Sequence, residues 1–74
     1  TIRLTTVLVQ VIYPNYSYYS IGVHAANDGH AEFRIISDVS RDASEAMDLF
    51  RTVSAGKVTP CTLEYVLSDC IGAL

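Results

Sequence analysis

The hydrophobic positions change period along the chain, from two to nearly four. Between Arg3 and Tyr13 the residues Thr5, Thr6, Val7, Val9, Val11, Ile12 and Tyr13 all favour a pleated surface. Pro14-Asn15 breaks this run as a turn would. A second strand is predicted over Tyr16–Ala26 and a third over Ala31–Val39. Between them Asn27-Asp28-Gly29 is a strong hairpin signal.

The alternation within the second hairpin suggests a register. With Gly29 left-handed in a three-residue loop, Ala26 pairs with His30, Val23 with Phe33 and Ile21 with Ile35. Tyr19, Ile21, Val23, Phe33, Ile35 and Ser37 then face inward, and Tyr18, Ser20, Gly22, His24, Glu32, Arg34 and Ile36 outward. A two-residue Asp28-Gly29 loop sets Val23 opposite Arg34 and splits the apolar set. A slip of one residue carries a whole set to the other face, so the three-residue loop is expected.

The first helix is announced by Asp42-Ala43-Ser44-Glu45, with Asp42 as cap and Glu45 closing a capping box. Ala43, Ala46, Met47, Phe50 and Val53 form its apolar stripe, and Gly56 is placed to end it in the left-handed conformation. Thr59 and Pro60 open a second helix as cap and first residue. Its stripe is Leu63, Val66, Leu67, Cys70, Ile71 and Leu74. The fold class expected is α+β: a three-stranded antiparallel meander, then a two-helix hairpin packed on one face.

The stretch Tyr19-Ser20-Ile21-Gly22-Val23, then Ile36-Ser37-Asp38-Val39-Ser40-Arg41-Asp42, then Val58-Thr59-Pro60 with Leu63, Val66 and Asp69, resembles a family of short bacterial proteins. They are uncharacterised and come mostly from clostridial Gram-positive bacteria. The most specific parts are the strand exit Asp-Val-Ser-x-Asp and the helix opening Val-x-Pro-x-x-Leu. The family has no established activity, so the resemblance implies a small intracellular domain and transfers no catalytic or ligand residue. The long apolar first strand and the Tyr-rich turn depart from the family's pattern.

Length and charge narrow the function. Seventy-four residues, half of them hydrophobic, make one small domain over 1–74. A mean hydropathy of +0.28 leaves apolar surface that so short a chain cannot wholly bury. The net charge is −3, and Arg3, Arg34, Arg41, Arg51 and Lys57 are scattered singly. No basic stripe for nucleic acid and no charge cluster for an anionic membrane results. The longest wholly apolar run, Val7–Val9, falls far short of the ~20 residues of a membrane span, and no signal-peptide pattern is visible. Cys61 and Cys70, on opposite faces of one helix, could not bridge, which fits a reducing cytoplasm.

The candidate chemistry is thin. His24 and His30 flank the hairpin loop far from either thiol, so no metal set converges. Cys61 lies where a helix dipole would activate a thiol but has no His or basic neighbour in sequence; Cys70 reads as core. Asp42 reads as a cap, Asp38 as a turn residue bonding nearby backbone, and Asp48 and Asp69 as solvated helix faces. No phosphate loop, nucleophile elbow or zinc-helix motif is present in the sequence. No catalytic, cofactor-binding or metal residue is assigned, and no cofactor is expected.

Tyr13, Tyr16, Tyr18 and Tyr19 fall within seven residues. They read either as strand aromatics around a turn or as a contact surface, since Tyr is enriched at interfaces; base stacking is opposed by the charge. In the first strand Val7, Val9, Val11 and Tyr13 share one face, and Leu4, Leu8 and Ile12 the other. If the Val set faces the helices, Leu4, Leu8, Ile12, Tyr16, Tyr18 and Ile36 are the interface candidates. The alternative is that this strand is central. The function expected is a non-catalytic protein–protein interaction or regulatory module, a homodimer or a partner of another protein. The rival is a small-molecule sensor or minor enzyme with a pocket between sheet and Cys61.

Overall fold

In a computed structural model, which describes residues 2–71, the chain runs β1 (Arg3–Ile12), β2 (Ser17–Asn27), β3 (His30–Ser40), α1 (Ala43–Ala55) and α2 (Leu63–Ile71). The strands form one antiparallel sheet in the order β1-β2-β3, so β2 is central and β1 is an edge. Both helices lie on one face. The core between the layers is Ile21 and Val23 of β2, Val39 of β3, Leu49 and Val53 of α1, Val58, and Leu63 and Leu67 of α2. Strand order and helix placement follow the pattern of the sequence.

Both hairpins close on two residues. Tyr13 N donates to Tyr16 O at 2.8 Å across Pro14-Asn15, and β1 pairs with β2 without interruption from Arg3↔Ala26 to Ile12↔Ser17. The second hairpin departs from the expected register. Asn27 pairs with His30, Val23 with Arg34, and Ile21 with Ile36. Gly29 has the positive φ of 71° that the loop needs. A three-residue loop would gather the large apolar residues onto one face. The sheet in fact carries apolar side chains on both faces. Ile21, Val23 and Ile36 serve the helices, and Phe33 and Ile35 lie on the side away from them.

The same correction applies to β1. Leu8 pairs with Ile21, Thr6 with Val23 and Leu4 with Ala25, so Leu4 and Leu8 face the helices and pack on the core. Val7, Val9 and Val11 take the open face beside Gly22, Ser20 and Tyr18. The expected inside and outside of this strand are exchanged.

Near its end β3 bulges. Between Tyr19↔Ser40 and Ile21↔Ile36 it carries extra residues, with Asp38 at φ 55°. The bulge turns Val39 and Ser40 inward, where both are buried. The Asp38 carboxylate, expected to bond nearby backbone, bonds none among the described residues and stands 3.7 Å from Arg41 instead.

Asp42 caps α1 as expected, accepting from Glu45 N at 2.8 Å. The other half of the capping box is replaced, since Asp42 N donates to Ser40 Oγ at 3.0 Å. The buried stripe is Ala46, Leu49 and Val53, with Phe50 beside it; Met47 and Ala43 are exposed, and Leu49 was absent from the expected stripe. Gly56 caps the helix at φ −82°, and the left-handed residue is Lys57, at φ 53°. Thr59 and Thr62 close a turn through their hydroxyls, 3.0 Å apart, which delays α2 to Leu63. Pro60 and Cys61 therefore belong to that turn. Cys70 is exposed rather than core, and Leu74 lies outside the described residues.

Candidate interaction surface

Three places bring together residues that could act on another molecule. The first is the turn before α2. Cys61 Sγ lies 3.8 Å from Glu32 Oε2, and Glu32 Oε1 lies 3.1 Å from His30 Nε2. They line a cleft of about 250 Å³ together with Ala25 and Pro60. This is the place where a pocket between sheet and Cys61 was expected, and Glu32 is the residue that reading missed. It stands 29 positions from Cys61, so no sequence spacing could pair them.

A thiol is activated by a base that takes its proton or a cation that stabilises the thiolate. Here the thiol donates to a carboxylate, and the imidazole bonds that same carboxylate rather than the sulfur. Among the described residues no group of three or more His, Cys, Asp or Glu is placed to hold a metal ion. His24 stands on the other face of the sheet, paired with Phe33.

The second place is the tyrosine turn. Tyr13 and Tyr16 stack at 4.9 Å between centroids, and Tyr18 lies 6.2 Å from the first and 6.4 Å from the second. Arg41 sits 5.2 Å over the Tyr16 ring. Tyr18, half-buried among these rings, ionises above its ordinary value near 10.0; lost hydration of its phenol is the main cause, and Tyr13, Tyr16 and Asp38 add to it. Tyr19 has the other parity and lies apart, opposite Gln10.

The third place is the open face of the sheet, which runs into the tyrosine turn. Side chains alternate along a strand, so Val7, Val9 and Val11 share this face with Tyr18, Ser20, Gly22, His24, Phe33 and Ile35. Phe33 is 55% exposed, Ile35 41% and Val9 38%. The Phe33 ring lies across Gly22, where a side chain would meet it at 2.9 Å. Along β1 itself the face has no charged residue from Thr5 to Tyr13; Arg3 stands at its hairpin end, and Asp38 and Arg41 stand beside the tyrosines at the other.

Of the interface candidates read from the sequence, Tyr16 and Tyr18 belong to the aromatic end of this surface. Leu4, Leu8 and Ile36 pack against the core instead. Ile12 has the parity of the helix-covered face but reaches past the helices, 73% exposed. The open-face residues Val7, Val9, Phe33 and Ile35 were missed, because the alternation of β1 is apolar on both parities.

The basic side chains are dispersed. Arg34 reaches Glu64 of α2 at 3.0 Å, Arg51 lies 3.5 Å from Asp48, and Arg41 stands between Asp38 and Tyr16. Among the described residues no helix is long and apolar enough to cross a membrane. The model of a family of unknown function, DUF6514, matches residues 4–73. No curated protein and no solved structure matches the chain.

Proposed function

Since the chain belongs to DUF6514, a family of unknown function, its surfaces are the guide to its role, and we propose that it is a non-catalytic protein-interaction module that forms a homodimer through the open face of its sheet. The observation that carries this reading is the uncovered apolar row of Val7, Val9, Val11, Phe33 and Ile35. Apolar surface left in water forgoes about 25 cal/mol per Å². A sheet covered on one side normally turns polar residues to the solvent on the other, and this one does not.

A second copy suits the face for a specific reason. In a two-fold contact residue i of one copy meets residue j of the other and j meets i, so the patch must be complementary to itself, and a charge close to the axis meets its own kind. Each chain carries −3, yet this face is free of charge along most of its length. Two sheets can stack there at about 10 Å, as in a β-sandwich. The tyrosine turn extends the contact with residues enriched at interfaces. Two exposed free thiols, Cys61 and Cys70, support a reducing, cytoplasmic setting, in line with the bacterial origin that the resemblance implies.

Sedimentation equilibrium tests the proposal. Self-association at tens of micromolar is expected, together with a weaker assembly for Val9→Lys at unchanged circular dichroism. A clean monomer at that concentration sinks it.

A further inference from the structure

The two edges of the sheet are unequal. The β3 edge is blunted by Glu32 and Arg34 and by the bulge at Asp38. The β1 edge has no charged residue from Leu4 to Ile12, no proline and no bulge. Its free hydrogen-bonding groups can be assigned. Tyr13 N bonds Tyr16 O, so the odd residues of β1 turn their backbone groups toward β2. Leu4, Thr6, Leu8, Gln10 and Ile12 therefore direct theirs outward.

We infer that this edge is a second self-association site, at which β1 of another copy adds antiparallel about Leu8 to make a continuous six-stranded sheet. The inference rests on the self-association proposed above and adds a contact to it. Antiparallel strands related by a two-fold axis through Leu8 set Leu8 opposite Leu8, Thr6 opposite Gln10, Leu4 opposite Ile12 and Val7 opposite Val9. Even residues meet even ones, so outward groups meet outward groups, and about ten backbone hydrogen bonds form. Each pair also keeps the helices of both copies on the same side.

A cleft of about 320 Å³ supports a second copy as the occupant. It lies beside this edge, lined by Ile2, Leu4, Thr6, Ser54, Lys57 and Val58. In the Leu8-centred register the partner's Ile12 stands opposite Leu4, on the same side of the sheet, at the mouth of that cleft. Ile12 is the side chain that projects past its own helices. The two-fold axis repeats the contact, so each copy offers one projecting side chain and one recess.

The open face also leaves room for this contact. Three strands about 4.8 Å apart and ten residues of about 3.3 Å give roughly 450 Å² per copy, or about 900 Å² for a stacked pair. That is just under the ~1,000 Å² expected of a specific interface. The edge contact has its axis perpendicular to the sheet and the stack has its axis in the plane. Two such axes at right angles close into a four-chain assembly with helices outside and sheets within.

Amide exchange and mass together decide it. In the wild type at associating concentration, Thr6, Leu8 and Gln10 amides should exchange at least ~100-fold more slowly than in Ile12→Lys. Ile12→Lys sets a cation beside Lys57 of the other copy, and Gln10→Pro removes an outward N–H without touching the β1–β2 ladder. Both should reduce a four-chain mass to two. If the three amides exchange freely in the wild type assembly, the edge is unpaired and the inference falls while the face reading stands. If Ile12→Lys yields monomers and Val9→Lys changes nothing, the edge stands and the face reading falls. Protected amides in a monomer mean that something other than a second copy covers the edge, which overturns the assignment.

Discussion

Gly22→Ala probes the open face with the smallest available change. A Cβ at this position stands 2.9 Å from Phe33 Cζ, 3.1 Å from its Cε1 and 3.1 Å from Val7 Cγ2. Carbon atoms rest at about 3.5–4.0 Å, so the ring must retreat by about 0.6–1 Å. Overpacking of this kind costs about 1–2 kcal/mol where a flexible side chain gives way. Alanine returns about 0.5–1 kcal/mol by restricting the unfolded chain. The net loss expected in urea unfolding is therefore about 0.5–1 kcal/mol. In a Phe33→Ala background only the 3.1 Å approach to Val7 Cγ2 remains, and the same substitution should be close to neutral. The double-mutant cycle should thus show a coupling of about 1 kcal/mol, measured at one protomer concentration so that association does not enter. Additivity within ~0.3 kcal/mol would refute the reasoning. It would mean that Phe33 does not lie over Gly22 and that the two-residue register of the second hairpin is wrong.

Three further outcomes follow from the same geometry. Leu8→Lys should lower the stability of the fold by about 2 kcal/mol or more, because a half-buried residue packed on the core gives way to a charge, and that is a large share of the roughly 4–11 kcal/mol expected for a chain this size; thermal melts should show Leu8→Lys well below Val9→Lys. Asp42→Ala should cost about 1 kcal/mol by removing the 2.8 Å bond to Glu45 N, read from the urea midpoint. In an alkaline titration followed by tyrosinate absorbance, Tyr18→Phe should remove a component that lies above the ordinary value near 10.0. The sign is fixed by the raised value: the folded state holds this proton longer than the unfolded one, so the Tyr18 contribution to stability is present below about pH 10 and is lost as pH climbs past it.

Local punctuation carried most of the architecture. Pro14-Asn15, Asp28-Gly29 and Asp42 end or begin elements where their backbone chemistry requires it, and the element order followed. The errors cluster where local chemistry was ambiguous. A period of two identifies a strand but says which side is core only when one side is polar, and Val7/Val9 against Leu4/Leu8 offers no such contrast. The hairpin slipped for the same reason, since Ile35 and Ile36 are apolar on both parities. At the start of α2, Thr59 and Thr62 are both competent capping residues, and hydroxyl bonds between them decided the matter. Glu32 beside Cys61 is a product of sheet register and loop path together.

The bulge at Asp38 bears on how far any assembly of this chain can grow. A subunit with two reactive ends polymerises, and a subunit with one is consumed in a single coupling. A sheet whose edges were both flat and uncharged would be of the first kind and would lengthen strand by strand into a fibre. Here Glu32, Arg34 and the left-handed Asp38 terminate one side. If β1 adds a second copy as proposed, the sheet is monofunctional: addition stops at a pair, and the uncharged edge strand does not propagate.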